Sequence, residues 1–145
     1  MSALKPFLDA RSPPVRLIAV AGEPLGHEDF TANYWSGELF IDMGKKGLFK
    51  ESGTGYQGLL SGIFSYYSGG AVAKNSARCD AKGVTGNMEG EGLKLGGVFA
   101  VSPGGDVMFE HKETTWGDTT VVGNRMTELK AAVASFSRGP TSDSL

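Results

Sequence analysis

Cys79 is the one thiol in a chain of 145 residues, and His27 and His111 are its two imidazoles. A thiol does chemistry as a thiolate, and redox pairs place a second cysteine two residues away to lower its pKa and close a disulfide. No such partner exists here. Arg78 and Lys82 favour a thiolate at Cys79, whereas Asp80 opposes it. Cys79 is therefore a thiol candidate, and its plainer expectation is a half-buried helix cysteine. A single cysteine excludes an intrachain disulfide and a cysteine-rich metal site, and it fits a reducing compartment. His27 stands beside Glu28 and Asp29, but a stable zinc site takes three or four ligands. Two isolated histidines give no ligand spacing, so no metal is expected and both are read as solvated surface.

Residues 53–58 spell Gly-Thr-Gly-Tyr-Gln-Gly, which matches the glycine pattern of a dinucleotide loop. Asp80 follows about twenty residues on, as that fingerprint requires. A phosphate loop also needs a strand running directly into it and a helix opening from it. The strand reading ends at Asp42 and a charged stretch intervenes, so the match is set aside and no cofactor is expected. No Gly-x-Ser-x-Gly nucleophile elbow is present. Trp35 and the Tyr66–Tyr67 pair are expected in the core rather than as ligand platforms.

The length suits one domain. Hydrophobic residues make up 40% of the chain, which argues against disorder. The formal net charge is -2, and residues 1–72 carry 6 basic and 7 acidic side chains against 8 and 9 in residues 73–145. Neither half is a charged tail, and a basic nucleic-acid binder is excluded. No stretch approaches the length of a membrane span, and no secretory signal pattern opens the chain. Glycine is the outlier at 22 residues, about twice its usual ~7% share, without a collagen period.

The elements that must position these residues follow from periodicity. Leu4, Phe7 and Leu8 share one helical face over residues 2–10, with Ser2 as N-cap and Pro6 in the first turn. Residues 15–21 form a near-continuous β-branched run, the pattern of a strand buried on both faces in a parallel sheet. Residues 26–34 suit a short helix, and 38–42 a second strand. Leu59, Leu60, Ile63, Phe64 and Tyr67 have helical spacing that the surrounding glycines weaken. Residues 71–82 read as a helix with Gly83 as its stop, and 84–97 as a glycine-rich loop. Residues 97–102 and 106–111 are strands joined by a Pro-Gly-Gly turn. Val122, Met126, Leu129, Val133 and Phe136 mark the best helix, over 121–136. Alternating strands and helices imply an α/β layer fold. The domain is expected over 1–137, with 138–145 a flexible tail.

The order of these pieces resembles a thioredoxin-like fold, and the wording of the chain resembles the peroxiredoxin-like 2 family, related to AhpC/TSA. Residues 86–99 (GNMEGEGLKLGGVF) resemble the family's approach to its third core strand. Residues 103–111 (PGGDVMFEH) resemble its hairpin, and Gly117-Asp118 the pair before its last helix. Residues 4–10 (LKPFLDA), 15–20 (VRLIAV) and 37–42 (GELFID) fall in family order. The resemblance covers about residues 3–136 and implies a three-layer thioredoxin-like sandwich.

It also implies a cytoplasmic or organellar redox or antioxidant role, the thiol-dependent reduction of peroxides or prostaglandin endoperoxides with a thioredoxin- or glutathione-type reductant. In the family, the first strand and the redox motif, CxxC or a variant with one Cys or selenocysteine, precede the Leu-Lys-Pro helix, which here begins three residues after Met1. No position here inherits the redox cysteine, and Cys79 does not occupy that place. The fold is thus expected to be truncated at the N-terminus and weakly active or inactive in this form. Two unpaired strand edges, beside residues 15 and 97, are expected to invite a protein partner that completes the sheet. The loop carrying Met88, Glu91, Lys94, Leu95 and Gly96 is the expected ligand-facing surface. A non-catalytic docking module or assembly subunit is the alternative.

Overall fold

The computed structural model describes residues 4–56, 58–83, 93–119 and 123–136. Ser2, most of the 84–96 loop, Val122 and the 138–145 tail lie outside them. The chain order is α1 (Lys5–Asp9), β1 (Ile18–Ala21), α2 (His27–Asn33), β2 (Glu38–Ile41), α3 (Leu48–Glu51), α4 (Leu59–Tyr67), α5 (Ala71–Ala81), β3 (Gly97–Val101), β4 (Val107–Lys112) and α6 (Arg125–Ser135). This is a mixed α/β arrangement with one parallel and one antiparallel strand pair.

β1 and β2 pair in parallel, Ile18 opposite Glu38 through Ala21 opposite Ile41. Glu38 N–H donates to Leu17 O and Asp42 N–H to Ala21 O, both at 2.8 Å. Gly37 allows this approach, because a Cβ there would collide with the Leu17 carbonyl oxygen. Arg16 reinforces the start of the ladder with two hydrogen bonds to Glu38, at 2.7 and 2.5 Å. β1 is shorter than the apolar run that encodes it, since Val15 N–H is drawn to Leu8 O at the end of α1. It is also less buried than expected. Ile18 is 43% exposed, because among the described residues no strand lies on its other edge.

β3 and β4 form the hairpin, Gly97 opposite Lys112 through Ala100 opposite Phe109, and the register then shifts so that Val101 faces Val107. Met108 is the extra residue of this bulge. Ser102 closes the turn: its N–H donates to Asp106 O at 2.8 Å, and its Oγ accepts from Asp106 N–H at 3.1 Å. Gly105 takes φ +95°, a conformation that favours glycine.

The core lies between α1, α6 and the hairpin. Leu4, Leu8, Ala100, Leu129 and Val133 are buried together, with Phe7, Val15, Leu17, Val98, Phe109, Met126 and Phe136 packed against them. The 3–4 residue spacing of Met126, Leu129, Val133 and Phe136 puts these side chains on one face of α6. Arg11 fastens α1 to α6 through the carbonyl of Ala134 at 2.9 Å.

The middle of the chain departs from expectation. α4 forms despite its glycines and lies beside α5, yet Leu60, Phe64 and Tyr67 are 83%, 74% and 83% exposed. Tyr66 and Tyr67 are therefore surface residues, meeting edge-on at 5.5 Å, rather than core. Trp35 stacks on Phe30 at 5.6 Å and its Nε1–H donates to Glu38 O at 3.0 Å.

This division predicts opposite outcomes for two truncations of one residue type. Leu129→Ala should cost about 2–5 kcal/mol of unfolding free energy in urea. Leu60→Ala should stay within about 0.5 kcal/mol of the parent.

Candidate functional site

A cleft of about 920 Å³ lies between β1 and β3. Ile18 and Val20 of β1, with Leu17 just before it, and Gly97 through Val101 of β3 line it. So do Leu8 of α1 with Leu4 just before it, Leu129 and Val133 of α6 with Phe136 just after it, and Leu48 and Phe49 of α3. Arg16, Glu51, Glu110 and Lys112 supply charge among these linings.

Gly96 lines the cleft, and its fixing explains the shape of that end. Its N–H donates to the Glu113 carboxylate at 2.9 Å and its carbonyl accepts from Glu113 N–H at 3.0 Å. Leu95 beside it is 4% exposed, and its N–H donates to Gly55 O at 3.0 Å. Lys94 lies 4.5 Å from the centre of the Tyr56 ring, and its ammonium donates to the Thr54 carbonyl. The expected ligand-facing loop thus divides. Lys94 and Leu95 clasp residues 54–56, Gly96 is held by Glu113, and Met88 and Glu91 lie outside the described residues. The glycine pattern at 53–58 serves this clasp: α3 precedes it, and Tyr56 forms an isolated bridge with Lys94.

Cys79 is half-buried, as expected of a structural helix cysteine. It lies in the last turn of α5. Neighbouring Arg78 donates to Asn75 Oδ1 at 2.9 Å and to Gly117 O at 3.2 Å.

His111 overturns the solvated-surface reading, and His27 keeps it. His27 is exposed, with Nδ1 2.5 Å from Pro24 O. The His111 side chain is only 10% exposed, its Nε2 3.5 Å from Asp118 Oδ1 and 3.3 Å from Arg125 Nη1. Arg125 also pairs with Asp118 directly, and Asp118 accepts from the N–H and the hydroxyl of Thr114, both at 3.1 Å. Burial would raise the Asp118 carboxyl, but the hydrogen bonds from Arg125 and Thr114 outweigh it and hold the group below the usual aspartate range. The three partners are 7 and 14 residues apart, a separation that no local spacing rule joins. Among the described residues, no group of three or more His, Cys, Asp or Glu side chains is placed to hold a metal ion.

The structure defines a mixed α/β protein with one parallel and one antiparallel strand pair, and comparison with known proteins supplies the family. Residues 1–115 match the family model described as AhpC/TSA antioxidant enzyme. The chain therefore belongs to the AhpC/TSA antioxidant enzyme family, and this membership implies a thioredoxin-like fold. Within it the similar relatives are of the peroxiredoxin-like 2 kind. Prostamide/prostaglandin F synthase of Homo sapiens is 38% identical over 112 residues, 77% of this chain and 54% of the relative. Peroxiredoxin-like 2A of Danio rerio is 39% identical over 121 residues, 81% of this chain and 52% of the relative. The chain thus spans about half the length of these relatives. No solved structure matches it. No helix among the described residues is long and apolar enough to cross a membrane.

The Asp118 centre predicts a pH dependence. A carboxyl held below its unfolded value stabilises the fold above that value and loses the contribution as it is protonated. Asp118→Asn should lower stability at pH 7, and the gap to the parent should narrow as pH falls from about 4 through the lower native pKa. Urea unfolding at a series of pH values checks both the sign and the window.

Proposed function

We propose that this chain carries the antioxidant, thiol-dependent chemistry of its family only as part of a larger active unit, and that these 145 residues alone reduce peroxide weakly or not at all. Peroxide reduction begins when a thiolate attacks the O–O bond, giving a sulfenic acid and releasing an alcohol or water. A thioredoxin- or glutathione-type thiol then returns the sulfur to its reduced state. The single observation that carries the reading is the place of Cys79. It is the one thiol of this sequence, half-buried in the last turn of α5, with no second cysteine beside it to form a redox pair. The substrate class, peroxides or prostaglandin endoperoxides, rests on the relatives alone.

A second reading, a non-catalytic docking subunit on a thioredoxin-like scaffold, is supported by the separation of the two strand pairs across an apolar cleft. Sizing of the native protein discriminates: a monomer counts against the docking reading, and a larger complex supports it.

For the first reading, purified 1–145 with hydrogen peroxide and a dithiol reductant should consume peroxide no faster than the reductant alone, and Cys79→Ser should not change that. Peroxide turnover that disappears in Cys79→Ser would instead make Cys79 the nucleophile.

A further inference from the structure

Asp118 divides its two carboxylate oxygens between different partners. Oδ2 accepts from the N–H and the hydroxyl of Thr114, both at 3.1 Å. Oδ1 is left for Arg125, which pairs with it, and for His111, whose Nε2 lies 3.5 Å away. Arg125 brings one nitrogen, Nη1, to this oxygen, to Thr119 O at 3.3 Å and to His111 Nε2 at 3.3 Å. While the imidazole is neutral the contact is tolerated, because Nε2 either accepts from Arg125 or donates to Asp118. A protonated ring carries hydrogen on both nitrogens and a full charge. Two cations then meet at one carboxylate oxygen. An ordinary carboxylate would give one oxygen to each, but Thr114 holds the other oxygen of Asp118.

We propose that His111 is a pH-sensitive latch, whose protonation takes Asp118 Oδ1 from Arg125 and releases the first turn of α6 from the turn after β4. Burial decides which cation leaves. The side chains of His111 and Asp118 are 10% and 11% exposed, and that of Arg125 is 38% exposed. A guanidinium already partly in water loses least by turning to it, whereas a charged ring left buried beside no anion is costly. His111 and Asp118 also belong to one continuous segment, β4 and its turn, whereas Arg125 is the first residue of α6. Glu128, exposed three residues along α6, offers the released guanidinium a new partner. An imidazole ordinarily changes its charge between about pH 5 and 8. Asp118, held below the usual aspartate range, stays charged throughout that interval. The latch is therefore closed in neutral solution and opens in mild acid.

The other charges on the elements packed around the ring are engaged elsewhere. Glu110 and Lys112, its neighbours on β4, pair with each other at 3.0 Å and project from the opposite face of the strand. Glu113 accepts from Gly96 N–H. Arg78 of α5 donates to the Gly117 carbonyl, and Lys130 of α6 lies over the Phe7 ring. β3, whose Val98 lies opposite His111, has no titratable side chain. The latch involves neither Cys79 nor the cleft, and it stands or falls apart from the thiol chemistry proposed above.

Amide exchange of the 1–145 chain, corrected at each pH for the intrinsic rate, reads the latch at Glu128, whose N–H donates to Asn124 O at 3.0 Å. Its protection should fall about threefold or more between about pH 8 and pH 5, while that of Val133, buried further along α6, should change less. His111→Gln, which cannot take the charge, should abolish the fall. Arg125→Gln removes the rival cation, so the titration midpoint of the His111 ring, followed by NMR, should rise by about 0.5 or more. A merely structural His111 would give no such coupling. The proposal is overturned by protection at Glu128 that does not change with pH, by a fall that persists in His111→Gln, or by a ring midpoint that Arg125→Gln leaves unmoved or lowers. If His111→Gln does not fold, the parent pH series and the Arg125 variant decide the matter.

Discussion

The burial of Leu4 and Leu8 against Leu129 and Val133 is the contact on which the arrangement depends. No ladder hydrogen bond joins β1 to β3 among the described residues, so the two strand pairs are related through side-chain packing. Apolar burial is worth about 25 cal/mol per Å², and it has no direction. It can hold α1 to α6 and leave the space beyond them unfilled. Arg11, reaching the carbonyl of Ala134, adds the direction that burial lacks. α1 is only five residues long, too short to be stable as an isolated helix. Its helicity is a product of that packing.

Where neighbours in sequence are neighbours in space, the sequence was readable. Pro103-Gly104-Gly105 between two apolar runs gives the hairpin. The steps from Met126 to Phe136 give the buried face of α6. The β-branched run ending at Ala21 gives a parallel strand. The errors have one origin, partners distant along the chain. Ile18 belongs to a run that reads as doubly buried, yet burial on both edges needs a neighbour that the run cannot supply. His111 looks like any polar residue at the end of a strand until Asp118 and Arg125 fold back onto it. The aromatic and aliphatic positions of α4 have helical spacing, but spacing reports a helix and not what covers it, and Tyr67 is left at the surface. At the clasp, the residue types at Lys94 and Leu95 gave no signal, because Leu95 N–H meets the carbonyl of Gly55 through the backbone alone.

The Gly117-Asp118 pair shows how two adjacent residues can tie separate elements together. Gly117 takes φ +81° and offers its carbonyl to Arg78, while Asp118 binds Arg125. Two residues thereby connect α5 to α6 through the turn that follows β4. The arginine beside the lone thiol is committed to this junction by geometry.

The bulge at Met108 has a bearing on colloidal behaviour. An open strand edge is a template for indefinite edge-to-edge growth, and its hazard rises with the length of flat, regular backbone it presents. The register shift after Ala100 adds twist and bends the ribbon, so the regular part of the β3 edge ends after Ala100. An open edge interrupted in this way offers little template for growth into fibres.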